Sequence, residues 1–288
     1  MDPNDRPHPD AAPQRGIAIE APDDPRVVDY REVRDKNLER RAIFLAESAS
    51  VLRVLVLRRT HPLASVLVSE TQANALASVL ERVPSSVPIY VARQRVLDAI
   101  AGFHLHRGVL AAAHRTPVPD VESLVRGLGA GPATLVALEG MTNHDNVGGI
   151  FRNCAALGAS GVVLDEASCD PLYRKAIRVS VGAALTVPYA RAASSRASLE
   201  VLGRHGFSTL AMTPCPAARD LRELVSRANG DALPERLALV LGSEGPGLLP
   251  ETLAACDVRV RIPQRQDFDS LNVATACGIA LYALLASR

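Results

Sequence analysis

Tryptophan is absent from this chain of 288 residues, and aromatic residues make up only 3% of it. Hydrophobic residues still reach 48%, so the cores must consist mainly of Ala, Val and Leu. The longest apolar stretch, Val273–Leu285, is too short to cross a bilayer. Residues 1–25 are acidic and rich in Pro, and they lack the basic and apolar regions of a signal peptide. We therefore expect a cytoplasmic protein with no membrane partner.

Paired cysteines are also missing. The five cysteines are scattered, none forms a C-x-x-C pair, and no histidine cluster accompanies them. This pattern argues against a disulfide framework and against a structural zinc site. We expect reduced, buried thiols and no bound metal.

The length of the chain favours two domains. Residues 1–25 are predicted to be a disordered acidic tail. Residues 26–115 are predicted to form a small α/β domain, and residues 116–132, with three Pro and three Gly, a linker. Residues 133–288 form the second predicted domain. The formal charge is +6 in residues 26–115 and zero in residues 133–288, which fits a phosphate-rich partner for the first domain.

Short apolar runs alternate with amphipathic stretches along both predicted domains. In the first domain the predicted strands are Ala42–Leu45, Ser65–Val68, Pro88–Val91 and Val109–Ala113, and the predicted helices are Ala49–Leu57, Thr71–Val83 and Arg95–Ala101. In the second domain the predicted strands are Thr134–Leu138, Gly161–Leu164, Leu185–Val187, Ser208–Met212, Leu237–Leu241 and Val258–Ile262. The helices between them are Val147–Leu157, Leu172–Val181, Arg196–Gly203, Asp220–Ala228, Pro250–Ala255 and Leu271–Ala286. The first domain is therefore predicted to be a small α/β sandwich, and the alternation in the second domain predicts a parallel sheet with helices on both faces.

Three polar loops lie at strand-to-helix junctions of the second domain. They are Asn146–Arg152, Leu241–Leu248 and Asp269–Ala274. Ligands of parallel α/β sheets bind where the carboxyl ends of the strands meet such loops, and free backbone N–H groups at a helix start can hold a polar ligand. The sequence therefore predicts one binding site made from all three loops.

Together these loops resemble the SpoU (TrmH) family of RNA ribose 2′-O-methyltransferases, of the SPOUT class. The motifs that carry the resemblance occur in order: Asn146-x-Gly148-x-x-x-Arg152, then Leu239–Leu248, then Ile262-Pro263 followed by Asp269–Ala274. The resemblance extends from about residue 133 to the C-terminus. Residues 42–115 are also similar to the substrate-binding domain of many relatives, which is akin to ribosomal proteins that bind bent RNA.

The resemblance implies a parallel sheet whose C-terminal part forms a deep trefoil knot, a topology that sequence patterns alone would argue against. It implies S-adenosyl-L-methionine as the cofactor, and a homodimer with the active site near the subunit interface. The cofactor-binding residues that it implies are Gly242, Gly245, Ile262, Leu271 and Asn272.

The same resemblance implies the catalytic residues Arg152, Asn146, Glu244, Ser270 and Asn272. Arg152 would activate the 2′-hydroxyl together with a substrate phosphate. Because an arginine is essentially never deprotonated in proteins, we expect Arg152 to bind the phosphate and stabilise the developing alkoxide, while phosphate or water takes the proton. Ser270 has an alternative interpretation as the N-cap of the last helix.

Two further basic segments have two interpretations each. The turn Gly102–Gly108 carries Phe103, His104, His106 and Arg107, and it either contacts RNA or simply joins a helix to a strand. The predicted helix with Arg174, Lys175 and Arg178 faces either RNA phosphates or water.

The sequence as a whole predicts an S-adenosylmethionine-dependent RNA ribose 2′-O-methyltransferase acting on a structured RNA. A separate basic domain favours ribosomal RNA over tRNA. The alternatives are a tRNA methyltransferase of the same chemistry and a non-catalytic RNA-binding or ribosome-assembly factor. A nicotinamide dinucleotide enzyme is excluded because no G-x-G-x-x-G motif follows the first strand of the domain.

Overall fold

The computed structural model describes residues 15–31, 38, 41–226, 233–265 and 270–286. The chain divides into two compact units, the first made of Met1–Thr116 with Leu172–Leu185 and the second of Pro117–Pro171 with Thr186–Arg288. The helix predicted at Leu172–Val181 therefore packs in the first unit, although its sequence lies within the second predicted domain.

The first unit is built on a mixed five-stranded sheet with the strand order β1-β4-β3-β5-β2. Its strands are β1 (Gly16–Ile19), β2 (Ile43–Glu47), β3 (Leu63–Ser69), β4 (Ile89–Ala92) and β5 (Val109–His114). Its helices are α1 (Ala49–Arg58), α2 (Glu70–Ala75), α3 (Ala77–Leu80), α4 (Gln94–Ala101) and, from the later segment, α7 (Arg174–Val179). Short 3-10 helices occur at Pro25–Tyr30 and Ala183–Leu185.

The later segment is an integral part of the first unit because its apolar side chains lie in the core there. Leu172, Ile177 and Leu185 are at most 3% exposed and belong to the same buried cluster as Phe44 and Leu55. Helix periodicity indicates that Ile177 is buried, but it does not indicate which sheet covers it.

The predicted disordered tail is wrong for Gly16–Ile19, which forms the edge strand β1 and pairs in parallel with β4. Ile19 is only 2% exposed, and burying it stabilises this short strand. Residues 1–14 of the predicted tail lie outside the described residues.

The second unit contains a seven-stranded sheet with the order β10-β12-β9-β11-β6-β7-β8. Its strands are β6 (Ala133–Glu139), β7 (Gly161–Asp165), β8 (Tyr189–Ala192), β9 (Ser208–Met212), β10 (Arg219–Asp220), β11 (Arg236–Gly242) and β12 (Val258–Arg261). Its helices are α5 (Val121–Gly127), α6 (His144–Leu157), α8 (Ser195–Arg204), α9 (Leu221–Val225), α10 (Pro250–Ala255) and α11 (Val273–Ala286). Every neighbouring pair in this described sheet is parallel, which confirms the predicted parallel α/β architecture.

Two local predictions in this part of the chain are wrong. The strand predicted at Leu185–Val187 starts only at Tyr189, after a 3-10 turn and Pro188. The predicted linker contains helix α5, whose N-cap Asp120 accepts a hydrogen bond of 2.8 Å from the Ser123 N–H. The three Pro, Gly129 and Gly131 flank this helix, Gly127 ends it, and its apolar positions 121, 124 and 125 are buried in the core.

The five cysteines are all unpaired, but only Cys154 and Cys277 are buried, and Cys215 is exposed. The predicted burial therefore holds for two of them. The contact with Cys154 and burial raise the pKa of the Cys277 thiol well above its usual value, which keeps this thiol protonated. No helix in the described part of the chain is long and apolar enough to cross a membrane.

Candidate active site

A cavity lies at the carboxyl ends of three adjacent strands of the second unit. Met212 ends β9 and Thr213 follows it, Gly242 ends β11, and Ile262 follows β12. Residues that lead into α11 close the same cavity, and its lining includes Ser243, Glu244, Gly245, Gly247, Gln264, Ser270, Leu271 and Val273. Neighbouring parallel strands end on one edge of a sheet, so loops far apart in sequence meet here.

The loop after β11 folds tightly back on itself. A bridge joins Ser243 to Gly247, and the Gly247 N–H donates to the Ser243 carbonyl at 3.1 Å. Gly245 has a φ of +90°, which side-chain-bearing residues rarely adopt. A Cβ on Gly242 would lie 2.2 Å from the Gly247 carbonyl carbon, so this position accepts only glycine while the loop keeps this shape.

The side chain of Asn272 connects the three motifs, and the first of them, Asn146–Arg152, which was predicted to be a loop, is part of helix α6 in the structure. Its Nδ2 donates to Asn146 Oδ1 at 2.8 Å and to Glu244 Oε1 at 2.8 Å. Its Oδ1 accepts from the N–H groups of Ala274 and Thr275 at 3.0 and 3.2 Å. A single amide therefore joins helix α6 to the glycine loop after β11 and also caps α11.

Ser270 lines the cavity and is exposed. Because Asn272 caps α11, the alternative interpretation of Ser270 as that cap is wrong. Asp269, which precedes it in the third motif, lies outside the described residues.

Helices α6 and α11 pack closely beside this network. The Asn153 Nδ2 donates to the Ala274 carbonyl at 2.7 Å, and a Cβ on Gly149 would lie 2.9 Å from the Ala274 Cβ. Gly149 therefore permits the close approach of the two helices that carry Asn146 and Asn272.

Arg152 does not join the network. It is exposed, it does not line the cavity, and it has no hydrogen bond or ion pair within the described part of the chain. Six residues of α-helix turn the chain by about 600°, which places Arg152 about 120° around α6 from Asn146. The structure thus brings together four of the five predicted catalytic residues, Asn146, Glu244, Ser270 and Asn272, and leaves Arg152 apart.

The structure adds Glu139 to the site, a residue that sequence reasoning missed. This carboxylate ends β6, is 5% exposed, and accepts from the Leu249 N–H at 2.6 Å and from the Thr252 hydroxyl. It therefore ties the exit of the glycine loop and the start of α10 to the neighbouring strand. An acidic residue at the end of an otherwise apolar strand was the available signal.

Two buried polar atoms of this region lack hydrogen-bond partners among the residues that the structure describes. They are Asn146 Nδ2 and Gln264 Oε1, and Gln264 lines the cavity. Buried polar atoms are normally satisfied, so these two indicate a polar ligand. The apolar side chains of Leu241, Ile262 and Leu271 suit a planar base, and the turns around them offer backbone groups. This set of groups fits S-adenosylmethionine.

Comparisons with known proteins agree with this arrangement. Residues 133–282 match the family model described as the SpoU rRNA Methylase family. An uncharacterized tRNA/rRNA methyltransferase of Mycobacterium tuberculosis (strain H37Rv) is 42% identical over 282 residues, which cover 96% of this chain and 93% of the relative. The 23S rRNA (guanosine-2′-O-)-methyltransferase RlmB of Ralstonia nicotianae is 31% identical over 193 residues, or 67% of this chain and 74% of the relative.

Among solved structures, an AdoMet-bound rRNA methyltransferase from Sinorhizobium meliloti superposes with a TM-score of 0.77 at 23% identity. The match covers 94% of this chain and 97% of that one. At this level of identity the superposition shows a shared fold.

Proposed function

Because the chain belongs to the SpoU rRNA methylase family, we propose that it transfers the methyl group of S-adenosylmethionine to a ribose 2′-hydroxyl of RNA. The observation that carries this proposal is the Asn272 side chain, which joins residues of all three motifs beside one cavity. A chain that only bound RNA would not need these side chains to meet at the carboxyl ends of three strands.

The cofactor supplies an activated methyl group on a positively charged sulfur. Gly242 and Gly245 would let loop backbone approach it closely, and Ile262 and Leu271 would hold its adenine through apolar side chains and backbone groups. Asn272 holds the second and third loops in register through Glu244. Gln264 Oε1, buried without a partner in the described structure, accepts from an N–H of the ligand.

Arg152 acts on the RNA rather than on the cofactor. Its guanidinium is exposed and unpaired among the described residues, so it can bind a substrate phosphate without breaking an existing contact. Its permanent charge would then stabilise the negative charge that develops on the 2′-oxygen as its proton leaves to phosphate or water.

Helix α11 supports the formation of a homodimer. The helix has no charged residue, and its buried face includes Cys277, Ala280 and Leu281. The opposite face exposes Ile279 at 41% and Tyr282 at 67%. A helix that is apolar on all sides is normally covered, and a second copy of this chain is the occupant that the family implies. Arg152, on the adjacent helix α6, then lies near the subunit interface and contributes to the active site there.

The family also implies a trefoil knot in the second unit. The strand order supports it, because β11 inserts between β9 and β6 while the later β12 joins the other side of β9. The net charge of +6 in residues 26–115 supports RNA binding by the first unit and ribosomal RNA as the substrate, and a cytoplasmic location follows from that substrate.

Mapping of 2′-O-methyl groups in total RNA from cells with and without this protein tests the function and identifies the substrate. We expect the loss of at least one site, in ribosomal RNA. Loss of a site only in tRNA would support the tRNA alternative, and unchanged maps would support the non-catalytic one.

The role of Arg152 is tested in the purified protein. Arg152→Ala should lower methyl transfer by about 10²–10³-fold, as the loss of one charged stabiliser does. Binding of S-adenosylhomocysteine, measured by calorimetry, should stay unchanged. Near-normal turnover of the variant would show that Arg152 has no part in the reaction.

A further inference from the structure

Two basic segments that are far apart in sequence lie side by side in the first unit. The turn Gly102–Gly108 follows α4, and helix α7 packs against the edge strand β2. The Arg174 guanidinium lies 4.6 Å from the centroid of the Phe103 ring, so the turn and the helix are in contact. We call this surface the basic face and define it as Phe103, Arg107, Arg174, Lys175 and Arg178.

Positive charge dominates the basic face. The Nη1 atoms of Arg174 and Arg178 lie 3.5 and 3.9 Å from Glu47 Oε2, and Glu47 is only 7% exposed. The buried Glu47 carboxylate therefore pairs with both arginines and helps to fix their positions. Arg107, Lys175 and Arg178 are exposed, so at least three cationic side chains of these two segments are accessible to a partner.

The turn that carries Phe103 and Arg107 has a fixed shape. Asp98, on α4, binds His104 Nδ1 at 2.7 Å and the Leu105 N–H at 3.0 Å. The Gln94 side chain donates to the Leu105 carbonyl at 3.1 Å. A surface with preformed geometry loses less conformational entropy when it binds a partner.

We propose that the basic face is the RNA-docking surface of the first unit. Arg107, Lys175 and Arg178 bind phosphates, and the stacked pair of Phe103 and Arg174 receives an unpaired base. Exposed aromatic rings beside arginines suit single-stranded segments of a folded RNA, whose bases stack on such groups. This inference rests on the proposed function and names the surface that holds its substrate.

A charge-neutralising double variant tests the proposal. Arg107→Gln/Lys175→Gln removes two exposed charges from the basic face and keeps Arg174 and Arg178, the two arginines beside Glu47. The matched control is Arg82→Gln/Arg95→Gln, which removes the same charge beside the opposite edge of the sheet. Arg95 lies near Ala18 and Ile19 of β1, and Arg82 precedes Val83, whose carbonyl binds Arg15.

Filter binding to a 23S rRNA transcript at several KCl concentrations gives affinity and salt dependence for the full-length protein. The basic-face variant should bind about tenfold more weakly or worse, and its salt slope should fall by about 2, one for each lost phosphate contact. The control variant should stay within about twofold of the parent protein. S-adenosylhomocysteine should bind all three proteins equally, which shows that they are folded.

Unchanged affinity and salt slope in the basic-face variant would overturn the proposal, and so would an equal loss in the control variant. Methyl transfer by the parent protein is measured on the same transcript and on total tRNA. If the parent protein methylates RNA while the basic-face variant binds normally, the inference fails and the proposed function stands. If it methylates neither RNA, the proposed function fails, whatever the binding data show.

Discussion

Replacing Gly242 by Ala is a minimal change that the glycine loop should not tolerate. The added Cβ would lie 2.2 Å from the Gly247 carbonyl carbon and 2.3 Å from the Leu248 nitrogen, and both are backbone atoms. No side-chain rotation relieves such a contact. Because ordinary contacts begin at 3.4 Å, the loop must open by about 1 Å.

The expected magnitudes follow from that displacement. Overpacking of a tight site typically lowers the free energy of unfolding by about 1–3 kcal/mol. A loop moved by about 1 Å also misplaces the groups that hold the cofactor, which can lower turnover by about 10²-fold. Loss of a single hydrogen bond to the cofactor, about 1.4 kcal/mol, already weakens its binding about tenfold.

Calorimetric titration with S-adenosylhomocysteine and thermal unfolding measure both effects. Gly203→Ala is the matched control, because it adds the same methyl group on helix α8 with no atom within 4 Å. That variant should be as stable as the parent protein or slightly more stable. The reasoning about the loop would be refuted if Gly242→Ala bound the cofactor product with unchanged affinity and unfolded at the same temperature.

Three further substitutions test the network and the exposed helix. Asn272→Asp keeps a capping oxygen but cannot donate to Asn146, and its carboxylate faces that of Glu244, so the rate of methyl transfer should fall strongly while the unfolding temperature changes little. Asn272→Ala also loses the cap and should lower the free energy of unfolding by a further ~1 kcal/mol. Glu139→Gln offers a single carbonyl oxygen to the Leu249 N–H and the Thr252 hydroxyl, so one of these donors loses its acceptor. This loss should lower the free energy of unfolding by about 1–3 kcal/mol and raise the KM for S-adenosylmethionine, and an unchanged KM would limit the role of Glu139 to stability. Tyr282→Glu should convert a dimer into a monomer in sedimentation experiments, and a dimer that persists would place the interface elsewhere.

The parallel sheet and the meeting of the three motifs at one edge of it were predictable because their signals are local, but the first motif, predicted to be a loop, is helical in the structure. Apolar strands alternate with amphipathic helices, and polar segments follow the strands. Because the strands are parallel, these segments all lie at the carboxyl edge of the sheet. The helix that begins at Pro250 and ends at Ala255 was predicted at the bounds it has in the structure.

Long-range packing was not predictable in the same way. Nothing in the periodicity of residues 172–185 indicates that Ile177 lies in the core of the first unit. Nor does the sequence show that Glu139 anchors a loop more than a hundred residues later, since a strand ending in Glu has many uses. The six-residue spacing from Asn146 was interpreted as placing both side chains toward the pocket, but this spacing turns an α-helix by about 600°, and Arg152 does not line the cavity.

The most direct test of the central claim is the chemical identity of the methylated product. Purified protein is incubated with S-adenosylmethionine labelled in its methyl group and with a 23S rRNA transcript, and the RNA is then digested to nucleosides and separated. We expect the label in a single 2′-O-methylnucleoside, within a linkage that resists alkaline hydrolysis because its 2′-oxygen is blocked. Label on a base, or no label in any RNA supplied, would contradict the account.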